Sequence, residues 1–464
     1  MSRGELGLAA NTIWVVLTAV LVMLMQGGFA LLEAGVTRAK NAAHVTLKNL
    51  LSFAVCSVVY WAVGFAIAFG DGGALSGKHG FFPGREELLD VGKAPFTAIA
   101  SVPGGAGYLF EVVFAGVSLA IVWGAMAERT RLWVYFAFGG AYTLVYSVVS
   151  HWVWHPSGWL YALGMQDYAG STVVHFQGAL AALAGTLLLG PRIGRFGRDG
   201  HPRAIGGHNL PLAVIGTLVL WFCWFGFNPG STFGVQTGGE VGFFAFVAVV
   251  TNVAAAAGAV SAAVFAWVVL RRADVPSTLN GALGALVAVT AASGFVEPWA
   301  AVLIGAVAGV IAVLVPIGLE RVRIDDPVGA LAVHGAAGVW GTLACGLFAS
   351  PALVELTGRG SAGLLYSGSV HQLGVQVVGL VAVGAFTFSA SFGILWLFRG
   401  NFGIRVTAEA ELSGLDLHEH GSSGYDLSGS SGYDLGALAG VRESHLPATV
   451  PLPSRSSSTG HRRA

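Results

Sequence analysis

Asp167-Tyr168-Ala169-Gly170-Ser171-Thr172-Val173-Val174-His175 and Asp326-Pro327-Val328-Gly329-Ala330-Leu331-Ala332-Val333-His334 read the same way, D-x-x-G-x-x-x-V-H. Each opens an apolar stretch long enough to cross a bilayer, the fifth and the tenth of eleven such stretches. Five is an odd number of crossings, so the two copies enter the membrane from opposite faces. That is the mark of an inverted-topology repeat, with a functional site expected near the midplane between the halves. The fold class expected is an all-α integral membrane protein of eleven transmembrane helices. Helices 1–5 and 6–10 form an inverted 5+5 repeat, and the eleventh is peripheral.

Composition supports that reading. Of 464 residues, 55% are hydrophobic and only 10% charged, where a soluble domain carries about 25% charged residues. Such a chain lacks the polar groups to cover a water-facing surface. The 68 glycines follow no collagen-like period, and in membrane helices small residues let backbones approach closely. Zero formal net charge argues against nucleic acid as a partner. Cys56, Cys223 and Cys345 lie in apolar runs without metal-ligand spacing and read as small core residues.

The apolar stretches fall at about 11–33, 47–70, 104–127, 132–151, 171–189, 208–228, 242–270, 278–293, 299–318, 331–350 and 371–399. The first is too long for a signal-peptide core and is read as a retained helix. Orientation follows the lysine and arginine bias. With the N-terminus outside, the inner loops hold Arg38, Lys40, Lys48, Arg129, Arg131, Arg192, Arg195, Arg198, Arg203, Arg271, Arg272, Arg321 and Arg323. The outer segments hold only Arg3, Lys78, Arg85, Lys93 and Arg359. The expected layout is a transmembrane domain over 1–399, N-out and C-in, in the cell membrane. A cytoplasmic tail over 400–464 follows, largely flexible after about 425. In the tail an octad repeats with one change, GSSGYDLS at 421–428 and GSSGYDLG at 429–436.

Ionisable side chains within the bilayer are the first candidates for function, because each costs free energy unless it faces a cavity or a partner. His175 and His334 stand at repeat-related positions, so their imidazoles should approach one another between the halves. Gly338 and Gly341 follow His334 at i+4 and i+7 and leave space for the ring and for close packing. Two neutral imidazoles suit a small hydrogen-bonding solute, since each offers a donor and an acceptor and a proton can pass between them. Competing readings are two core histidines bonded to carbonyls, or a bis-histidine haem.

Asp167 and Asp326 stand where a carboxylate caps free backbone N–H groups. Asp167 also lies on the outer face, where a cation arrives. Trp224, Phe227 and Ser231 at i, i+3 and i+7 would share one helical face, and Glu111 stands one turn before Phe114. A tryptophan face, a hydroxyl and a carboxylate together could strip water from a small cation. Glu111 reads equally as an inter-helix hydrogen-bond partner, and the outer tryptophans Trp152, Trp154 and Trp159 as an interfacial belt.

At these residues the chain resembles the Amt/Rh ammonium transporter family, on the Amt side, from about Trp14 to Tyr425. The motifs are QGGFALLEAG (26–35), AMAERTRL (125–132), DYAGSTVVHFQGA (167–179), HNLPL (208–212), WFGFNPGS (224–231), DDPVGALAVHG (325–335) and GLDLHEHG (414–421). The resemblance implies a homotrimer whose protomers each hold a narrow apolar pore. It implies that Trp154, Phe114 and Ser231 form an outer recruitment site for ammonium, with methylammonium as analogue and Asp167 in support. Trp159 is a second contender for the place of Trp154. Phe114 and Phe227 would be the gate, and Trp224, His175 and His334 would line the pore. The inner loops and the 403–406 start of the tail resemble a surface that receives the signalling protein PII.

Three features depart from the family pattern: Glu111 stands where glutamine is usual, Gly329 where a polar residue is common, and the doubled octad extends the tail. The function expected is ammonium uptake. The ion is recognised outside, loses its proton, and crosses as ammonia past the paired histidines, with no cofactor, no metal and no enzymatic step. The alternative is a sensor that reports occupancy through the tail.

Overall fold

The protein is described here by a computed structural model covering residues 2–425. The second octad, and the tail expected to be flexible beyond about 425, lie outside the described residues. Among the described residues all regular structure is helical, with only isolated β-bridges besides. Eleven helices among these residues are long and apolar enough to cross a membrane: α1 Arg3–Val36, α2 Ala39–Phe69, α3 Gly104–Met126, α4 Leu132–Ala162, α5 Ser171–Leu189, α6 Leu210–Thr232, α7 Gly238–Leu270, α8 Val275–Ala292, α9 Pro298–Arg321, α10 Leu331–Phe348 and α11 His371–Asn401.

Helix ends follow local chemistry that apolar runs do not report. α1 starts at Arg3 rather than near 11 because Ser2 and Glu5 form a reciprocal capping box. Thr237 and Glu240 do the same for α7. Asn209 and Asp274 cap α6 and α8, each with proline in the first turn. α2 starts at Ala39 rather than 47, and this corrects the place of Lys48. It is not in an inner loop but inside the helix, fully buried, with its ammonium 2.5 Å from the Glu33 carboxylate. α4 runs unbroken to Trp154 rather than stopping at 151, and its last full turn carries the buried His151, whose ring lies between the carbonyls of Ala68 (3.0 Å) and Gly73 (2.7 Å).

The packing repeats between the halves. α1 lies along α6 across the pseudo-twofold axis, α3 packs on α5 as α8 packs on α10, and α2 on α4 as α7 on α9. α5 and α10 meet reciprocally, the first turns of each against the body of the other. α11 stands outside the repeat, against α4, α5 and α10. Close approach depends on small residues: a Cβ on Gly341 would fall 2.1 Å from the Ala288 carbonyl oxygen. Gly338 likewise faces the Ser171 carbonyl. The space these two glycines leave is taken by neighbouring backbone, not by the His334 ring.

The D-x-x-G motif is a turn that starts each repeat-related helix. The Asp167 carboxylate accepts from the N–H groups of Gly170 (3.1 Å), Thr172 (3.1 Å) and Val173 (3.0 Å). Asp326 accepts from Gly329 (3.1 Å) and Leu331 (2.7 Å). Gly170 and Gly329 both take positive φ, 111° and 81°, and both helices begin with a wide π-helical turn, Ser171–Phe176 and Leu331–Ala336. At Gly329 a Cβ would also meet the Asn280 amide nitrogen at 2.3 Å, so a side chain there needs this neighbour to move. Gly329→Ser is expected to destabilise the protein by about 1–3 kcal/mol, read as a lower melting temperature of the purified protein. An unchanged melting temperature would show that the turn relaxes freely.

Candidate functional site

α3 carries Phe110, Glu111 and Phe114 on consecutive turns, all buried in the centre of the fold. Around them lies a cavity of about 230 Å³, on the side expected to face outward, whose lining includes Glu111, Phe114, Trp154, Tyr168, Ser231 and Phe233. Trp154, where the continuous winding of α4 stops before its last turn, donates its indole N–H to the Asp167 carbonyl at 2.8 Å and stands edge-on to Phe114, with ring centroids 6.1 Å apart. Asp167 thus positions the indole through its backbone, while its carboxylate is spent on the turn. Trp159 packs edge-on against Trp152 instead and is not part of this lining.

Ser231 does not share a regular helical face with Trp224 and Phe227. The α-helical winding ends at Phe227, and Ser231 sits in a following 3₁₀ turn, Pro229–Thr232, donating to the Phe227 carbonyl at 2.9 Å. That tighter turn brings the hydroxyl to the cavity by another route. Pro229 is the signal in the sequence that the regular helix stops before it. One oxygen of Glu111, Oε2, is sealed from solvent and has no hydrogen-bond partner among the described residues.

Beneath the cavity the Phe114 and Phe227 rings lie 4.1 Å apart, tilted by 32°. Below them the His175 ring is stacked at 5.6 Å from Phe227 and 5.3 Å from Trp224. Trp224 is held by a 2.9 Å bond from its indole N–H to the Thr290 hydroxyl. His175 and His334 meet at 5.2 Å between ring centroids and 3.2 Å between their Nδ1 atoms. One Nδ1 must donate and the other accept, so the rings hold one shared proton between them. That direct contact leaves no space for a porphyrin plane between the two nitrogens. His175 Nε2 is buried without a partner among the described residues. No group of three or more histidine, cysteine or acidic side chains among the described residues could hold a metal ion.

The nine residues singled out from sequence therefore fall in one column. Glu111, Phe114, Trp154 and Ser231 line this cavity, and Asp167 holds Trp154 through its carbonyl. Phe227, Trp224, His175 and His334 follow in depth. Sequence reading missed Phe110, which stacks on Phe114 at 4.6 Å and could have been found from its i−4 spacing. It also missed Tyr168 and Thr290, which carry no such signal.

Residues 13–425 match the sequence model described as Ammonium Transporter Family. The chain is 41% identical over 432 residues to ammonium transporter Amt2 of Archaeoglobus fulgidus, covering 90% of this chain and 88% of that one. It is 34% identical to ammonium transporter 3 of Dictyostelium discoideum, over 89% of this chain and 94% of that protein. Among solved structures it is similar to one described as a sensor Amt protein, with TM-score 0.80, 35% identity, and 90% and 99% of the two chains covered. It is also similar to Candida albicans Mep2, with TM-score 0.79, 29% identity, and coverage of 88% and 89%.

Proposed function

The chain belongs to the ammonium transporter family and is a multi-pass protein of the cell membrane, and from that premise we propose a mechanism of ammonium uptake for it. Ammonium is recognised as a cation in the outer cavity, by the faces of Trp154 and Phe114, the Ser231 hydroxyl and the Glu111 carboxylate. It gives up its proton near the Phe114–Phe227 stack and passes His175 and His334 as ammonia. The observation that carries this reading is the buried histidine pair, 3.2 Å apart, directly beneath an aromatic gate.

The physical reason is the cost of charge. A cation at the membrane centre costs about 2.5–3.5 kcal/mol even on insertion scales. Splitting ammonium into a neutral molecule and a relayed proton lowers that cost, and it excludes potassium, which has no proton to give. In this reading residues 1–399 form the transporter with the N-terminus outside, the tail is cytoplasmic, protomers assemble as trimers, and the inner loops receive a PII-type protein. Protein in supported membranes, given ammonium, methylammonium and potassium in turn, tests the core of it. Ammonium and methylammonium should give current or pH change and potassium none, and a potassium current of equal size would overturn the mechanism.

Glu111 provides a second test. Among the described residues no lysine or arginine pairs with it, so an arriving ammonium ion supplies the positive charge that this carboxylate lacks. Glu111→Gln is expected to raise the apparent Michaelis constant about tenfold, the ratio given by losing about 1.4 kcal/mol of charge-assisted contact. Uptake kinetics between about pH 5 and pH 8 decide it, and an unchanged constant across that range leaves Glu111 as a packing residue.

A sensor function is a second reading, favoured by how the tail sits. Asp416 accepts from the N–H groups of Ala43 (3.1 Å) and His44 (2.8 Å) at the start of α2, which ties the tail to a transmembrane helix.

A further inference from the structure

Past the histidine pair, on the side away from the outer cavity, lies a cavity of about 20 Å³, enough for one water. His334, Phe29, Asn280, Val328 and the Glu33 side chain line it. Glu33 is buried, and one of its oxygens, Oε2, takes both the Lys48 ammonium at 2.5 Å and the Asn49 amide at 3.1 Å. The other, Oε1, accepts no hydrogen bond among the described residues. A Cβ at Gly124 would fall 3.2 Å from Oε1 and 2.7 Å from Val328, so the glycine keeps open the space in front of that oxygen. Leu32, Asn280 and Val328 also line a larger cavity of about 430 Å³, which reaches Asp274, Glu320 and Asp326. The small cavity thus lies between His334 and this larger inner vestibule, with Leu32, Asn280 and Val328 as common wall, and Arg272 lines the vestibule beside the three acids.

A buried glutamate–lysine pair costs the desolvation of two ions and seldom stabilises more than apolar residues of the same volume. Here it borders the small cavity beside His334, with one carboxylate oxygen accepting no hydrogen bond among the described residues. We propose that Glu33 is the proton station on the exit side of the histidine pair. The inference rests on the relay reading given above. The proton leaves the His334 imidazolium for the water in the small cavity, and the ring returns to neutral. That water passes a proton to Glu33 Oε1 and is itself regenerated. The Glu33 carboxyl then releases the proton to water of the inner vestibule, past Asn280, and returns to a carboxylate. Lys48 keeps its protons throughout and, with Asn49, holds the carboxylate in place.

The test measures charge and solute on the same proteoliposomes, as the current driven by labelled methylammonium and the uptake of that label. Glu33→Gln combined with Lys48→Gln removes both charges together. Glu33→Leu with Lys48→Met is a second neutral pair, since apolar replacement of a buried ion pair is well tolerated. Uptake is expected to persist in either variant while the charge moved per solute falls about tenfold or more. A merely structural pair would lower both together or neither, so an unchanged ratio in a folded variant overturns the proposal. If the wild type itself takes up solute without current, the relay reading falls, and this inference falls with it.

Discussion

Replacing His175 with alanine is expected to end selective ammonium conduction. The His175 ring fills the space beneath Phe227, stacks on Trp224, and makes the 3.2 Å contact with His334. Alanine removes the whole ring and leaves His334 Nδ1 without its partner. Two consequences follow from the proposed mechanism. The proton loses a carrier, and loss of a positioned acid–base group costs about 10²–10⁴-fold in rate. The vacated space, next to hydrogen-bonding groups, admits water, and a hydrated path no longer discriminates by the ability to lose a proton. His334→Ala should act the same way, because the repeat makes the two rings equivalent halves of one device. The measurement is current through reconstituted protein with ammonium or potassium as the cation. If both single variants keep a wild-type ammonium current and stay closed to potassium, the paired-histidine mechanism is wrong.

Most of that column was legible in the sequence, for reasons that differ by residue. His175 and His334 announced themselves because they are ionisable, lie in apolar spans, and recur at one register in an inverted repeat. Glu111 stood out as an acid in an apolar helix. What could not be read was geometry that depends on turns and on distant neighbours. Ser231 reaches the cavity only because the helix tightens after Phe227. The glycines after His334 looked like room for the ring, yet the Ala288 carbonyl occupies the place of a Gly341 side chain. The π-helical turns under both aspartates have no signature in hydropathy, since they differ from α-helix by one residue of winding. Lys48, at the start of the 47–70 stretch, reads as an inner-loop charge because nothing near it in sequence shows what would neutralise it in a helix. Its partner, Glu33, lies on another helix, and only the packing of α1 on α2 brings them together.

Arg192→Met is expected to destabilise the protein more than any change at the pore. Among the described residues, Arg192 is buried between two acids. It bonds Asp325 through Nε at 2.8 Å and Nη2 at 2.9 Å, and its Nη1 reaches Glu128. Arg38 closes on Glu128 from the other side at 2.9 Å, and the backbone N–H of Ile193 donates to the tail residue Glu411 at 2.7 Å. Methionine keeps the volume but leaves two buried carboxylates short of a cation. Removing one partner of a buried pair costs about 3–5 kcal/mol, so the variant should melt well below the wild type or fail to assemble.

The same cluster fixes the direction of the pH dependence. Burial pushes the Glu128 carboxyl up, but Arg192 and Arg38 outweigh it and hold it down at about 2, against an ordinary 4.5. A carboxyl depressed by folding contributes stability that is present above its ordinary value and lost as pH falls toward the folded one. Wild-type melting temperature should therefore fall between about pH 4.5 and pH 2, and Glu128→Gln, lower at neutral pH, should lose part of that slope. Parallel wild-type and variant curves through the window would show that Glu128 is not held by charge. The cluster joins α1, α3, the segment after α5, the entry to α10 and, through Glu411, the tail, so the stability it supplies is also what fixes the two repeat halves at one face.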